Sequence, residues 1–171
     1  RQPPQLFLND GSGRFQEETS GWGGLVSEPI VARGAAYADY DHDGDLDVLL
    51  TENGGPAHLW RNNLEGSHFL RIRLDGRESN RDGIGSRVIL KAAGKRQERR
   101  VRTGSSYLSQ SEMTVTFGLG SVERVDSLEV RWPSGQIDRF QNIEADQQLL
   151  VTEGETTLER EALAASTTVS E

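Results

Sequence analysis

Between residues 39 and 47 the chain reads Asp39-Tyr40-Asp41-His42-Asp43-Gly44-Asp45-Leu46-Asp47, five carboxylates at alternate positions in nine residues. Like charges packed that closely repel one another, and a neutral turn would carry no such penalty. A hard divalent cation removes it. Calcium takes six to eight oxygens in flexible geometry, and a short loop supplies them from positions one, three and five around a glycine at six. Asp39, Asp41 and Asp43 fill those positions and Gly44 permits the sharp turn. Asp45 would add its backbone carbonyl, and Asp47 would close the shell. An EF-hand needs a bidentate acid at position twelve, where this chain has Leu50. The flanks, Ala35 to Ala38 and Leu46 to Leu50, read as strands, so the segment predicts a calcium-binding β-hairpin. The competing reading is a solvated acidic turn without metal. The three histidines, His42, His58 and His68, have no zinc-ligand spacing, and His42 reads as an exposed loop residue.

Short strands are expected on both sides of this loop. The 19 glycines make up about 11% of the 171 residues against a usual ~7%, which favours many tight turns over long helices. Leu6-Phe7-Leu8-Asn9-Asp10 with Gly13 reappears as Leu59-Trp60-Arg61-Asn62-Asn63 with Gly66, 53 residues later. A period near fifty, built from a strand and a turn, falls in the range of propeller blades. It implies that residues 1–15 close one repeat and 16–66 form the next. Beyond Gly66 the pattern becomes alternating. Leu70, Ile72 and Leu74 share one face with arginines on the other, and Leu128, Val130 and Trp132 oppose Glu129 and Arg131. Further strands are expected over 87–92, 97–103, 113–117 and 148–152, which together read as a β-sandwich or small barrel. The expected fold is therefore all-β. Terminal propeller blade material spans 1–66, a β-domain 67–154, and a polar, flexible tail 155–171, in which Leu158 to Ala165 could form two helical turns.

Charge and composition narrow the partners. With 19 basic and 27 acidic residues the net charge is −8, which repels phosphate backbones and argues against nucleic acid. The absence of cysteine removes disulfides, cysteine zinc sites and a cysteine nucleophile. No apolar run reaches the ~18–20 residues of a membrane span. The chain opens on Arg1, as expected of a processed or excised product whose signal peptide lies outside it.

Three further segments carry candidate side chains. Gly104 to Ser111 concentrates hydroxyls, but a serine nucleophile needs an adjacent base and an oriented third group, and no G-x-S-x-G elbow is present. The hydroxyls are expected to satisfy backbone groups while Tyr107 and Leu108 pack. No catalytic residue is assigned. In the 80–87 turn, Asn80, Arg81, Asp82 and Arg87 are candidate contacts for a carboxylate or sugar, with a purely structural turn as the alternative. Tyr107 is a further candidate contact, and Trp132 is either a core aromatic or a sugar-stacking platform. Trp22, among Gly21 to Gly24, is given no role. The arginines from Arg96 to Arg102 read as a solvated or acid-paired strand face.

Taken together, AYADYDHDGDLDVLLTENGG and HLWRNN resemble an FG-GAP (VCBS-type) repeat, the calcium-loop blade of integrin-like propellers. NRDGIGSRV, GSSYLSQS, FGLG and VRWPSG, in that order, are similar to the ASPIC/UnbV domain that follows such propellers in secreted bacterial proteins and cartilage acidic proteins. The resemblance covers Leu6 to about Glu153. It implies the C-terminal part of a longer, secreted or periplasmic protein. The lack of a cysteine-rich EGF-like module points to the bacterial branch. The implied function is a non-catalytic, calcium-rigidified recognition or adhesion module with a protein or glycan partner at or outside the cell surface. The alternatives are a calcium-dependent, cyclase-like enzyme of a natural-product pathway and a carbohydrate-binding module.

Overall fold

The structure is a computed structural model that describes residues 1–18, 29–63 and 66–163. Trp22 lies outside these residues. The described residues form thirteen strands and no helix. Strands β1 (Leu6–Asn9) and β2 (Phe15–Glu18) make an antiparallel hairpin, turned by Asp10, whose Oδ1 accepts the Ser12 amide at 2.7 Å. Residues 15–18 thus pair back onto β1 and do not join the sheet that follows. That sheet contains β3 (Ala32–Ala38), β4 (Asp47–Glu52) and β5 (Ala57–Trp60), antiparallel and in chain order. The aspartate segment is the β3–β4 connection, so the expected hairpin is formed.

The remaining strands build a sandwich. One sheet has the order β11 (Ile137–Glu144), β10 (Arg124–Arg131), β7 (Arg87–Ala92), β8 (Lys95–Arg100). The other has the order β13 (Glu159–Glu161), β12 (Gln147–Thr152), β6 (His68–Asp75), β9 (Val115–Gly120). Alternation puts Leu70 and Ile72 from one sheet against Val88, Leu90, Leu128 and Val130 from the other, with Phe117 fully buried between them. Burial of such side chains at roughly 1.5–3 kcal/mol each supplies the main stabilisation of this half.

Three expectations are revised. Arg71 does not share the solvent with Arg73: it is 2% exposed, because the β3–β5 sheet and the segment before β9 cover that face of β6. Residues 158–163 form no helical turn. Leu158 packs against the core, and β13 extends the sheet edge, held by Glu161 to Arg73 and to Gln148. β11 went unread because its apolar residues Ile137, Phe140 and Ile143 are spaced by three, and the strand passes through Asn142 at φ 56°.

Glu153, only 6% exposed, ties this half together at the end of β12. It accepts the amides of Arg77 and Ser79, both at 2.7 Å, and the hydroxyls of Ser79 and Ser134. Burial pushes its carboxyl up, but the bonds from Ser134, Ser79 and Arg77 outweigh that and take it down to about 2. A depressed carboxylate contributes stability that is complete above its unfolded value near 4.5 and is lost as pH falls towards 2. The shift corresponds to roughly 3 kcal/mol. Urea midpoints measured from pH 6 to pH 2.5 should therefore fall less steeply for Glu153→Gln than for the parent; parallel curves would contradict this role.

Candidate metal centre

The β3–β4 loop is organised by its own carboxylates. Asp39 accepts the amides of Asp43 and Gly44 at 3.1 and 3.0 Å, and Asp43 Oδ1 accepts the Asp45 amide at 2.9 Å. Asp47 Oδ2 accepts the Tyr40 amide and its Oδ1 the Asn62 amide, both at 2.8 Å, closing the loop's ends and fastening the chain after β5. Gly44 has φ +98°, and a Cβ there would stand 2.1 Å from the Phe69 ring. Only glycine satisfies both conditions. His42, at φ 62°, is exposed, as expected.

Three of the side chains converge. One carboxylate oxygen each from Asp39, Asp41 and Asp43 lies within 4.8 Å of the other two. Oxygens on opposite sides of a calcium ion stand roughly 4.6–5.2 Å apart, so one ion fits this span. Asp45 and Asp47 lie outside the trio, and both Asp47 oxygens are engaged by backbone amides.

The electrostatics favour a cation. Burial pushes the Asp39 carboxyl up, against the opposing pull of the Arg71 guanidinium and the Gly44 amide. The Asp45 carboxyl is also raised, first by burial and then by Asp43, Asp39, Asp47 and Asp41. Both Asp41 oxygens are shielded from solvent and receive no hydrogen bond. Arg61 Nε comes within 2.5 Å of Asp41 Oδ2, an ion contact without hydrogen-bond alignment. That leaves Oδ1 uncompensated, and a buried carboxylate oxygen without a donor is costly unless a cation takes its lone pairs. An all-oxygen set of this kind suits a hard ion and not a soft one.

The loop is joined to the sandwich by a polar seam that the sequence did not reveal. The open edge of β3 is covered by residues 106–112. Ser106 Oγ accepts the Ala35 amide at 3.3 Å, Ser111 Oγ the Tyr37 amide at 3.2 Å, and Tyr37 O the Glu112 amide at 3.1 Å. The hydroxyl-rich stretch thus satisfies backbone groups, as expected, although those of the other region. Tyr107 and Leu108 do not pack; they are 65% and 90% exposed at the strap's tip. Beneath the strap, Arg71 donates to Glu112 Oε2 at 2.8 Å, Thr116 Oγ1 at 3.2 Å and Gln148 Oε1 at 3.0 Å, and pairs with Asp39 Oδ2 at 3.0 Å. One buried guanidinium therefore links the loop, the strap and the sandwich.

The other sequence candidates are dispersed. Asn80 pins its turn, donating to Ile84 O and accepting from Ile84 N at 2.8 Å, with Arg81 and Asp82 exposed beside it. Arg87 pairs with Glu98 at 2.6 Å. Trp132 is 4% exposed, with Nε1 donating to Asp138 at 2.7 Å, which leaves no open ring face for a sugar. Among the described residues no helix is long and apolar enough to cross a membrane.

Comparison with known proteins finds a match to a different family in each half of the chain. The family described as ASPIC and UnbV matches residues 76–158, and an FG-GAP-like repeat matches residues 1–50. Cartilage acidic protein 1 of Xenopus tropicalis is 34% identical over 131 residues, 72% of this chain and 19% of the relative. Its Homo sapiens counterpart is 31% identical over 136 residues, 76% of this chain and 18% of the relative. The chain thus spans about a fifth of the length of these curated relatives.

Proposed function

We propose that this chain, which belongs to the proteins that join an FG-GAP-like repeat to an ASPIC and UnbV domain, is a calcium-stabilised extracellular recognition module. The observation that carries the reading is the convergence of Asp39, Asp41 and Asp43, with both Asp41 oxygens buried and hydrogen-bonded to nothing, Oδ2 meeting only the Arg61 ion contact. Asp39, Asp41 and Asp43 would hold the ion through carboxylates, and Asp45 would add its backbone carbonyl. Asp47 would hold the loop closed from outside the trio. Bound calcium supplies charge neutralisation and no covalent chemistry.

The chain's own residues turn that local effect into rigidity. Asp39 faces the ion site on one side and Arg71 on the other, so a fixed Asp39 fixes the guanidinium that joins strap and sandwich. The surfaces on either side of the seam then keep one orientation for a protein or glycan partner outside the cell.

Thermal melts in millimolar calcium, magnesium or EDTA test the reading. Calcium at a hundred times its dissociation constant adds ~2.7 kcal/mol, which for a chain of this length is a rise of about 5–10 °C. Asp41→Asn should abolish most of that rise. A calcium response that is absent, matched by magnesium, or unchanged in Asp41→Asn would sink the assignment.

A further inference from the structure

We propose that the outer face of the β11-β10-β7-β8 sheet binds an anionic polysaccharide. The inward face of this sheet belongs to the core, so register and burial define the outer one. It is a grid of three cross-strand rows: Arg100, Arg87, Arg131 and Ile137; Glu98, Ile89, Glu129 and Arg139; Arg96, Lys91, Ser127 and Gln141. With the ion-paired Arg124 and Glu144 beyond these rows, seven basic residues and three acidic ones share this face in a chain whose net charge is −8. Segregation of that kind is an electrostatic footprint for a negatively charged partner.

The acids do not cancel it. Glu98 is held by Arg87 and Arg96, and Glu129 by Arg131 and Arg139. Each of these pairs leaves a surplus positive charge, and Lys91 and Arg100 add two exposed cations with no ion pair among the described residues. A groove of about 310 Å³ crosses β7, β10 and β11 between Lys91, Arg131, Arg139, Ser127 and Gln141. That is at the small end of ligand clefts, roughly 300–1,000 Å³, so it seats part of a chain and does not enclose a whole ligand.

Its lining selects the class of polyanion. Ser127 and Gln141 both donate and accept, which matches a ligand rich in hydroxyls as well as charge. Exposed aromatic rings, on which nucleic-acid bases stack, do not occur in the grid. An acidic peptide finds no free strand edge in the groove, because β7 and β10 are bonded on both sides. A chain of sugar acids or sulfated sugars meets none of these obstacles.

The test uses the whole chain on immobilised heparin and on polygalacturonate, with and without calcium, because this site does not depend on the aspartate loop. The parent should bind at least one matrix in both conditions and elute earlier as salt rises. Lys91→Ala combined with Arg100→Ala should weaken binding at least tenfold without lowering the melting temperature, and Lys91→Glu alone should do the same in part. Failure to bind either matrix would overturn the proposal. So would equal binding by the variants, or elution from both matrices by polyglutamate at concentrations where free polysaccharide has no effect.

Discussion

Replacing Arg71 by leucine should lower the unfolding free energy by about 3–5 kcal/mol, the usual consequence of removing one partner from a buried ion pair. Arg71 is 2% exposed and serves Asp39, Glu112, Thr116 and Gln148 at once. Leucine fills part of the space but leaves Asp39 and Glu112 facing each other without a counter-charge. Lysine restores the charge without the planar fork, so Arg71→Lys should recover only part of the loss. If calcium neutralises Asp39, the leucine variant should lose less in calcium than in EDTA. Urea unfolding in both buffers measures the four values. Equal losses in both would disconnect the seam from the ion site.

Gly44→Ala should cost about 2–4 kcal/mol, combining overpacking with a left-handed backbone that side chains resist. The added methyl would stand 2.1 Å from the Phe69 ring at a position whose φ is +98°. Either the ring leaves the seam or the loop opens, and the second response also separates the three carboxylates. Pairing the substitution with Phe69→Leu should return the steric share and leave the backbone share. Calcium affinity measured on the double variant then reports whether loop conformation alone sets the site. An alanine variant as stable as the parent would show that Phe69 does not clamp the loop.

The aspartate loop was legible because its chemistry is local. Five acids, one glycine and two strand-like flanks lie within a few residues, and the side chains that shape the loop are those that the spacing exposes. The central strands of the sandwich were legible for a similar reason, since Leu70, Ile72 and Leu74 or Leu128, Val130 and Trp132 alternate against polar neighbours. Arg71 was not. Its burial comes from Asp39 and Glu112, tens of residues away on either side, and an arginine in an alternating strand reads as solvent-facing until the covering layer is known. β13 was hidden for the opposite reason. Glu159-Arg160-Glu161 carries no apolar signal and is placed by pairing with β12 and by ion pairs. Tyr107 and Leu108 looked like packing residues by composition, yet the strap is held through hydroxyl and backbone bonds that leave its tip in water.

The most direct measurement is an isothermal calcium titration of the EDTA-stripped chain beside Asp41→Asn and Asp43→Asn. The account predicts one saturable calcium site in the parent, a much weaker magnesium response, and at least tenfold weaker calcium binding in each variant. Affinity unchanged by both substitutions, or no saturable binding in the folded parent, would contradict the central claim that this loop is a calcium site.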